Sequence, residues 1–132
     1  MRALLVLLLF SFAVPPPPVD MWVDSNRLVW VTADPTVPVL TIEFYRSGEP
    51  FMVDTVAESY AQCVISANTV TCTPTDPGIW MLAFVGLRLP PGAVVYGRAF
   101  SGSRIATAVI FGPPGPIYLP LIQRPPAAPA LR

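Results

Sequence analysis

Two cysteines, eight carboxylates and three tryptophans are the side chains of this 132-residue sequence with the most obvious chemical potential. Histidine is absent, and all eight basic residues are arginines because no lysine occurs. Those absences remove the usual general base, the commonest metal ligand, the P-loop lysine and Schiff-base catalysis. Cys63 and Cys72 make a poor zinc site, since carboxylates would have to complete the four ligands. The carboxylates are Asp20, Asp24, Asp34, Asp54, Asp76, Glu43, Glu49 and Glu58. Two of them flanking a cleft could serve glycoside hydrolysis. Asp34, Asp76 and Glu49 each precede a proline in turn sequences, where a solvated role is the default. Asp20 and Asp24 fall on one face of a strand at the edge of the domain, and no spacing brings them toward the others. A small secreted acid-pair hydrolase is therefore the last of three readings, behind two non-enzymatic ones. No Asp-x-Asp-x-Asp-Gly loop and no Asn-x-Ser/Thr sequon occur, which leaves a turn-based calcium site at Asp34 or Asp76 as a separate alternative. No cofactor is expected.

The aromatic residues suggest a second chemistry, the stacking of sugar rings. Trp22 is the candidate for ligand stacking, because Asp20 and Asp24 mark its side of the strand as the wet one. Trp30 sits between Val29 and Val31, and Trp80 has apolar neighbours on both sides, so both are assigned to the core. One exposed tryptophan is a weak platform, so a carbohydrate-binding module is the runner-up. The eight arginines balance the eight acids, so no polyanion, and no nucleic acid, is an obvious partner.

The N-terminus bears on the compartment. Met1-Arg2 supplies one positive charge, and residues 3–14 are apolar except for Ser11. That run falls short of the roughly 20 residues of a membrane-spanning helix and has the proportions of a secretory h-region. Ser11 and Ala13 place small residues where a signal peptidase inspects them. Cleavage after Ala13 would remove Arg2 and leave Val14 followed by four prolines, with an uncleaved anchor as the competing account. The expectation is an extracellular or cell-surface protein with no membrane span in the mature chain.

In an oxidising compartment a pair of cysteines reads as a disulfide. A turn centred between Ala67 and Asn68 pairs Ser66 with Thr69, Ile65 with Val70, Val64 with Thr71, and Cys63 with Cys72. With a two-residue loop the cysteines occupy a non-hydrogen-bonded position, where α-carbons lie about 4.5 Å apart and a disulfide fits. A four-residue loop with the same centre is also possible, because Ala-Asn is a weaker turn signal than Asn-Gly.

The remaining elements are strands. Short β-branched and aromatic runs cover Val19–Asp24, Arg27–Ala33, Pro38–Tyr45, Phe51–Val56, Ala61–Ile65, Thr69–Thr73, Gly78–Leu87, Ala93–Phe100 and Arg104–Phe111. The breaks after residues 24, 33, 45, 73, 89 and 100 carry the Gly, Pro, Asn or Asp that turns require. No capped window with helical periodicity occurs. Leu40, Ile42 and Phe44 share one strand face, opposite Thr41 and Glu43. Residues 79–85 are apolar on both faces, as in a central strand whose outer face is also covered. The fold class is all-β: a single antiparallel immunoglobulin-like β-sandwich of about 8–9 short strands with proline-rich extensions. The organisation is a signal peptide at 1–13, a proline lead-in at 14–18, the sandwich at 19–112, and a proline-rich linker with an apolar tail at 113–132.

The stretch from Cys63 to Thr73, containing Asn68-Thr69-Val70-Thr71-Cys72-Thr73, followed by Leu87-Arg88-Leu89-Pro90-Pro91-Gly92, resembles a conserved repeat of bacterial surface proteins. That repeat pairs a cysteine hairpin with a Pro-Gly turn before the last strands of an immunoglobulin-like sandwich. This chain departs from it in the greasy segment 79–85, where the repeat has a polar strand. Residues 117–124 resemble the Tyr-Leu-Pro-Leu-Ile tail of many secreted bacterial proteins. The resemblance implies a surface or extracellular module with a structural or adhesive role and transfers no catalytic residues. Its partner would be a protein or a surface polysaccharide, and the Ile117–Ile122 motif is a candidate for docking on a sheet edge or for self-association, with a disordered tail as the competing account.

Export predicts that protein recovered outside the cytoplasm begins at or near Val14 on N-terminal sequencing. Recovery only as an intact membrane-bound chain would refute cleavage.

Overall fold

The computed structural model describes residues 15–115. The expected signal segment and the Ile117–Ile122 motif lie outside them. Ten strands form in chain order: β1 Val19–Val23, β2 Val29–Ala33, β3 Leu40–Arg46, β4 Glu49–Pro50, β5 Thr55–Ser59, β6 Ala61–Ser66, β7 Thr69–Pro74, β8 Met81–Gly86, β9 Val94–Ser101 and β10 Arg104–Phe111. They build a four-stranded sheet ordered β1-β2-β8-β5 and a second sheet ordered β10-β9-β3-β7-β6, with β4 paired to β3. Every pairing is antiparallel. The result is the expected β-sandwich, compatible with the immunoglobulin-like class.

Strict alternation along the strands sets the core. Val19 and Met21, then Val29, Val31 and Ala33, then Met81, Ala83 and Val85 point inward from the first sheet. Leu40, Ile42, Phe44, Val70, Cys72, Val95, Ala99 and Ile110 meet them from the second. Among the described residues no polar or charged side chain is buried. Phe44 is the one aromatic residue among those fully buried. Its ring lies against Gly97, where a β-carbon would stand 3.0 Å from the ring and 2.5 Å from the Met21 methyl. A side chain there would displace the Met21 methyl and press on the Phe44 ring.

Several strands are shorter than the sequence reading, Gly78–Leu87 becoming Met81–Gly86 and Arg27–Ala33 becoming Val29–Ala33, and two differences change the path of the chain. Phe51–Val56 does not form one strand. Glu49 and Pro50 instead extend the edge of β3, residues 51–54 cross between the sheets, and β5 starts at Thr55. The crossing is pinned by Phe51 N–H donating to Phe44 O and Val53 N–H donating to Ala67 O. Backbone groups spent on a crossing are not available to a ladder. The second difference is at residues 57–60, which carry no turn signal. Tyr60 alone separates β5 from β6 and takes a left-handed φ of 58° to switch sheets.

The cysteine hairpin has the expected register, with Ser66 opposite Thr69 and Cys63 opposite Cys72. The two-residue loop is the form adopted. The α-carbons of the disulfide-bonded Cys63 and Cys72 are 4.1 Å apart, the close spacing of a non-hydrogen-bonded pair. Cys72 is fully buried and Cys63 packs against the core, so the bond ties the edge strand β6 to the interior. Ala67 holds a φ of 55° at the tip, a conformation in which glycine is usual. Neighbouring backbone fixes it: Phe44 N–H donates to Asn68 O, and Asn68 Nδ2 donates to Phe44 O.

Non-reducing mass spectrometry should find Cys63 linked to Cys72. Cys72→Ser should lower stability by about 2–4 kcal/mol in denaturant titration while the far-ultraviolet spectrum stays that of a β-protein. Two freely alkylated thiols in natively recovered protein would refute the bond.

Candidate functional site

Alternation that sends aliphatic side chains inward sends a different set outward. On the four-stranded sheet the outward positions of β1 and β2 are Asp20, Trp22, Trp30 and Thr32, and those of β8 and β5 include Leu82, Phe84, Ala57 and Ser59. The ladder aligns Trp22 with Trp30, Trp30 with Phe84 and Phe84 with Ala57, so one row crosses all four strands. Trp22 and Trp30 stack with centroids 5.9 Å apart and planes 17° from parallel. Phe84 presents its ring to Trp30 edge-on at 4.3 Å. Stacked and edge-to-face contacts of this kind each add about 0.5–1.5 kcal/mol beyond area burial.

Trp30 is held from the other end of the hairpin. Asp24 Oδ2 accepts its indole N–H at 2.8 Å, while Oδ1 accepts the backbone N–H groups of Asn26 and Leu28. The Trp30 bond, helped by the Leu28 and Asn26 amides and opposed by desolvation, holds the Asp24 carboxyl below its ordinary pKa. Asp24 therefore serves the turn and the indole together.

Trp30 and Trp80 are not core residues, contrary to expectation. Trp30 is half-buried on the outer face, and Trp80 keeps 38% of its surface exposed, close to the 40% of Trp22. The reason is geometric. In a strand the residues at i±1 point to the opposite face, so Val29 and Val31 say nothing of the surroundings of Trp30. Thr32, two residues on, shares its face and is the informative neighbour. Trp80 has the same parity as Leu82 and Phe84, just before β8 begins. The outer face of β8 is accordingly half-covered by neighbouring aromatic rings rather than by another layer. All three tryptophans of the chain stand on the outer side of one sheet.

Beyond Leu82 that face continues into a shallow depression of about 530 Å³, lined by Thr32, Ser59, Tyr60, Ile79, Trp80 and Leu82 among others. Tyr60 and Ile79 are exposed there, at 51% and 39%. The left-handed turn that switches sheets at Tyr60 also places its ring at this rim.

The opposite outer face is different in character. Tyr45 and Tyr96 are cross-strand partners there, beside a depression of about 590 Å³ also lined by Arg98, Thr107 and Val109. Arg98 donates to Glu43 Oε1 at 2.9 Å and lies 4.5 Å over the Phe100 ring. Trp22 and the tyrosine pair thus belong to opposite faces of the sandwich.

The carboxylates are dispersed. Glu43 pairs with Arg98, Asp54 with Arg88 at 3.3 Å, and Asp34 with Arg104 at 3.3 Å. Asp34 also accepts the hydroxyl and N–H of Thr36, and the hydroxyl is the main cause of its lowered pKa. Arg104 Nη1 donates to Thr36 Oγ1 at 2.7 Å and to Asp34 Oδ1, so the turn carboxylate already has a cationic partner. Among the described residues no three His, Cys, Asp or Glu side chains group as a metal site, and no helix is long and apolar enough to cross a membrane. Comparison of the chain with protein-family models, with curated proteins and with solved structures finds no match in any of the three.

Because folding lowers the Asp24 pKa, the ionised form favours the native state. Its contribution is present above the ordinary carboxylate pKa and is lost as pH falls through the lowered native value. Trp30→Phe removes the main cause. The Asp24 carboxyl resonance should then titrate closer to the ordinary carboxylate value; an unchanged midpoint would refute this assignment.

Proposed function

We propose that this chain is an exported, non-catalytic module that acts at the cell surface as an adhesion domain through the outer face of its four-stranded sheet. The observation that carries the reading is the placement of all three tryptophans on that face. Tryptophan is the residue most enriched where one surface binds another, and its burial is the largest gain the chain forgoes by leaving it outside. A mostly aliphatic core, with no buried polar side chain among the described residues, is filled without these rings. The covalent staple fits the same setting, since disulfides persist in oxidising compartments. The dispersal of Asp34, Asp54 and Glu43 into separate ion pairs favours adhesion over acid-pair hydrolysis.

The test is rebinding. Purified mature protein carrying a fluorescent label should bind washed cells of the producing strain saturably. A Trp22→Ala/Trp80→Ala variant should bind at least about tenfold more weakly, as for the loss of interface hot spots, with its thermal midpoint within a few degrees of the wild type. No binding by the wild type, or equal binding by the variant, overturns the reading.

A further inference from the structure

We infer that the tryptophan face takes a neutral, flat, β-linked polysaccharide strand; this rests on the adhesion reading and names the ligand class of the same face. Three observations carry it.

The first is preorganisation. Trp30 is held by the Asp24 hydrogen bond on its indole nitrogen and by its T-shaped contact with Phe84, and Trp22, the more exposed ring, stacks on it and is thereby oriented to meet a ligand. Rings already oriented lose little freedom when a ligand stacks on them. A pyranose with equatorial hydroxyls offers a flat C–H surface that matches the electron-rich face of an indole.

The second is extent. Trp80 precedes Phe84 by four residues along the same strand direction, and at about 3.3 Å per residue the two aromatic ends lie ~13 Å apart. Leu82 lies between them. Such a track suits several sugar units of an extended chain and is longer than a single ring requires. At the Trp80 end the depression offers the hydroxyls of Thr32, Ser59 and Tyr60, groups that donate to and accept from sugar hydroxyls.

The third is charge. The outward positions of the four strands carry the Asp20 carboxylate and no arginine, and the chain has no lysine. Outward strand positions with a carboxylate and no arginine, and the Asp24 carboxylate on the Trp30 indole, disfavour nucleic acid, anionic lipid and uronate or sulfated polymers. A cationic peptide could use Trp22 and Asp20; at the Trp80 end the hydroxyls of Thr32, Ser59 and Tyr60 both donate and accept, so sugar hydroxyls use both capacities, whereas an ammonium or guanidinium uses only the acceptors.

The experiment is affinity electrophoresis of the mature, oxidised protein in native gels cast with hydroxyethylcellulose, xylan, glucomannan or laminarin. Gels with alginate, and incubation with poly-arginine, test the anionic and cationic alternatives. At least one neutral polymer should retard the protein. Trp22→Ala and Trp80→Ala should each weaken retardation at least fivefold, and Tyr96→Ala on the opposite face should leave it unchanged. Should a tryptophan variant fail to fold, the wild type alone decides: on addition of the polymer that retards it, indole N–H resonances of Trp22 and Trp80 should shift. The inference is overturned by no retardation in any neutral polymer, by binding of alginate or poly-arginine instead, by loss through Tyr96→Ala, by Trp22→Ala or Trp80→Ala behaving as wild type, or by unshifted indoles. Protein that rebinds cells through Trp22 and Trp80 yet ignores every neutral polymer overturns the ligand class and leaves the adhesion reading standing; failure of both assays overturns both.

Discussion

Burial of a single aliphatic layer between two sheets is the constraint on which the rest of this molecule depends. Valine, leucine, isoleucine and methionine from both sheets fill most of the gap, and among the described residues no buried polar side chain interrupts them. Hydrophobic burial of this kind is non-directional, worth about 25 cal/mol per Å² of apolar surface. Direction comes from strand alternation, because a one-residue slip would turn an entire inner face to water. The narrowest point is the meeting of Phe44, Met21 and Gly97, where the one large ring in the interior occupies space that a side chain at residue 97 would fill.

From that constraint follows the character of the outer surfaces. Once the inner face is aliphatic, tryptophans at the intervening positions have nowhere to go but outward. They cluster, and the cluster stiffens the β1–β2 hairpin through the Asp24–Trp30 bond and the Phe84 contact. The same rings that brace the hairpin form the surface a partner would meet. The opposite face spends its arginine on Glu43 and Phe100, an exposed arrangement worth at most about 1 kcal/mol for the ion pair.

The strained positions lie where the chain changes direction. Arg27, Ser47, Tyr60 and Ala67 all adopt left-handed φ values, although none is glycine. At Arg27 the Asp24 carbonyl accepts the Arg27 N–H and the Asp24 carboxylate accepts amides on either side of the turn. Around Ala67 the backbone of Phe44 and Val53 supplies the bonds. The Arg27 turn is thus held by its own Asp24, and the Ala67 turn by residues more than ten positions away in sequence.

Sequence alone determined the fold class, nearly all strand positions and the disulfide register. Those features follow from period-two alternation and from turn residues, which act over a few neighbouring positions. Cys63 and Cys72 were legible as partners because one hairpin contains both. Leu40, Ile42 and Phe44 were legible as core because Thr41 and Glu43 mark the other face. Tertiary structure decided the path of residues 51–60, where no glycine or proline announces the switch of sheets at Tyr60. It also decided the faces of Trp30 and Trp80: residues 79–85 read as apolar on both faces, and around Trp30 the adjacent valines hid the single polar mark of Thr32. Which of two greasy faces turns inward depends on what the opposing sheet can accommodate, and here the aliphatic residues pack inward and the indoles stay outside.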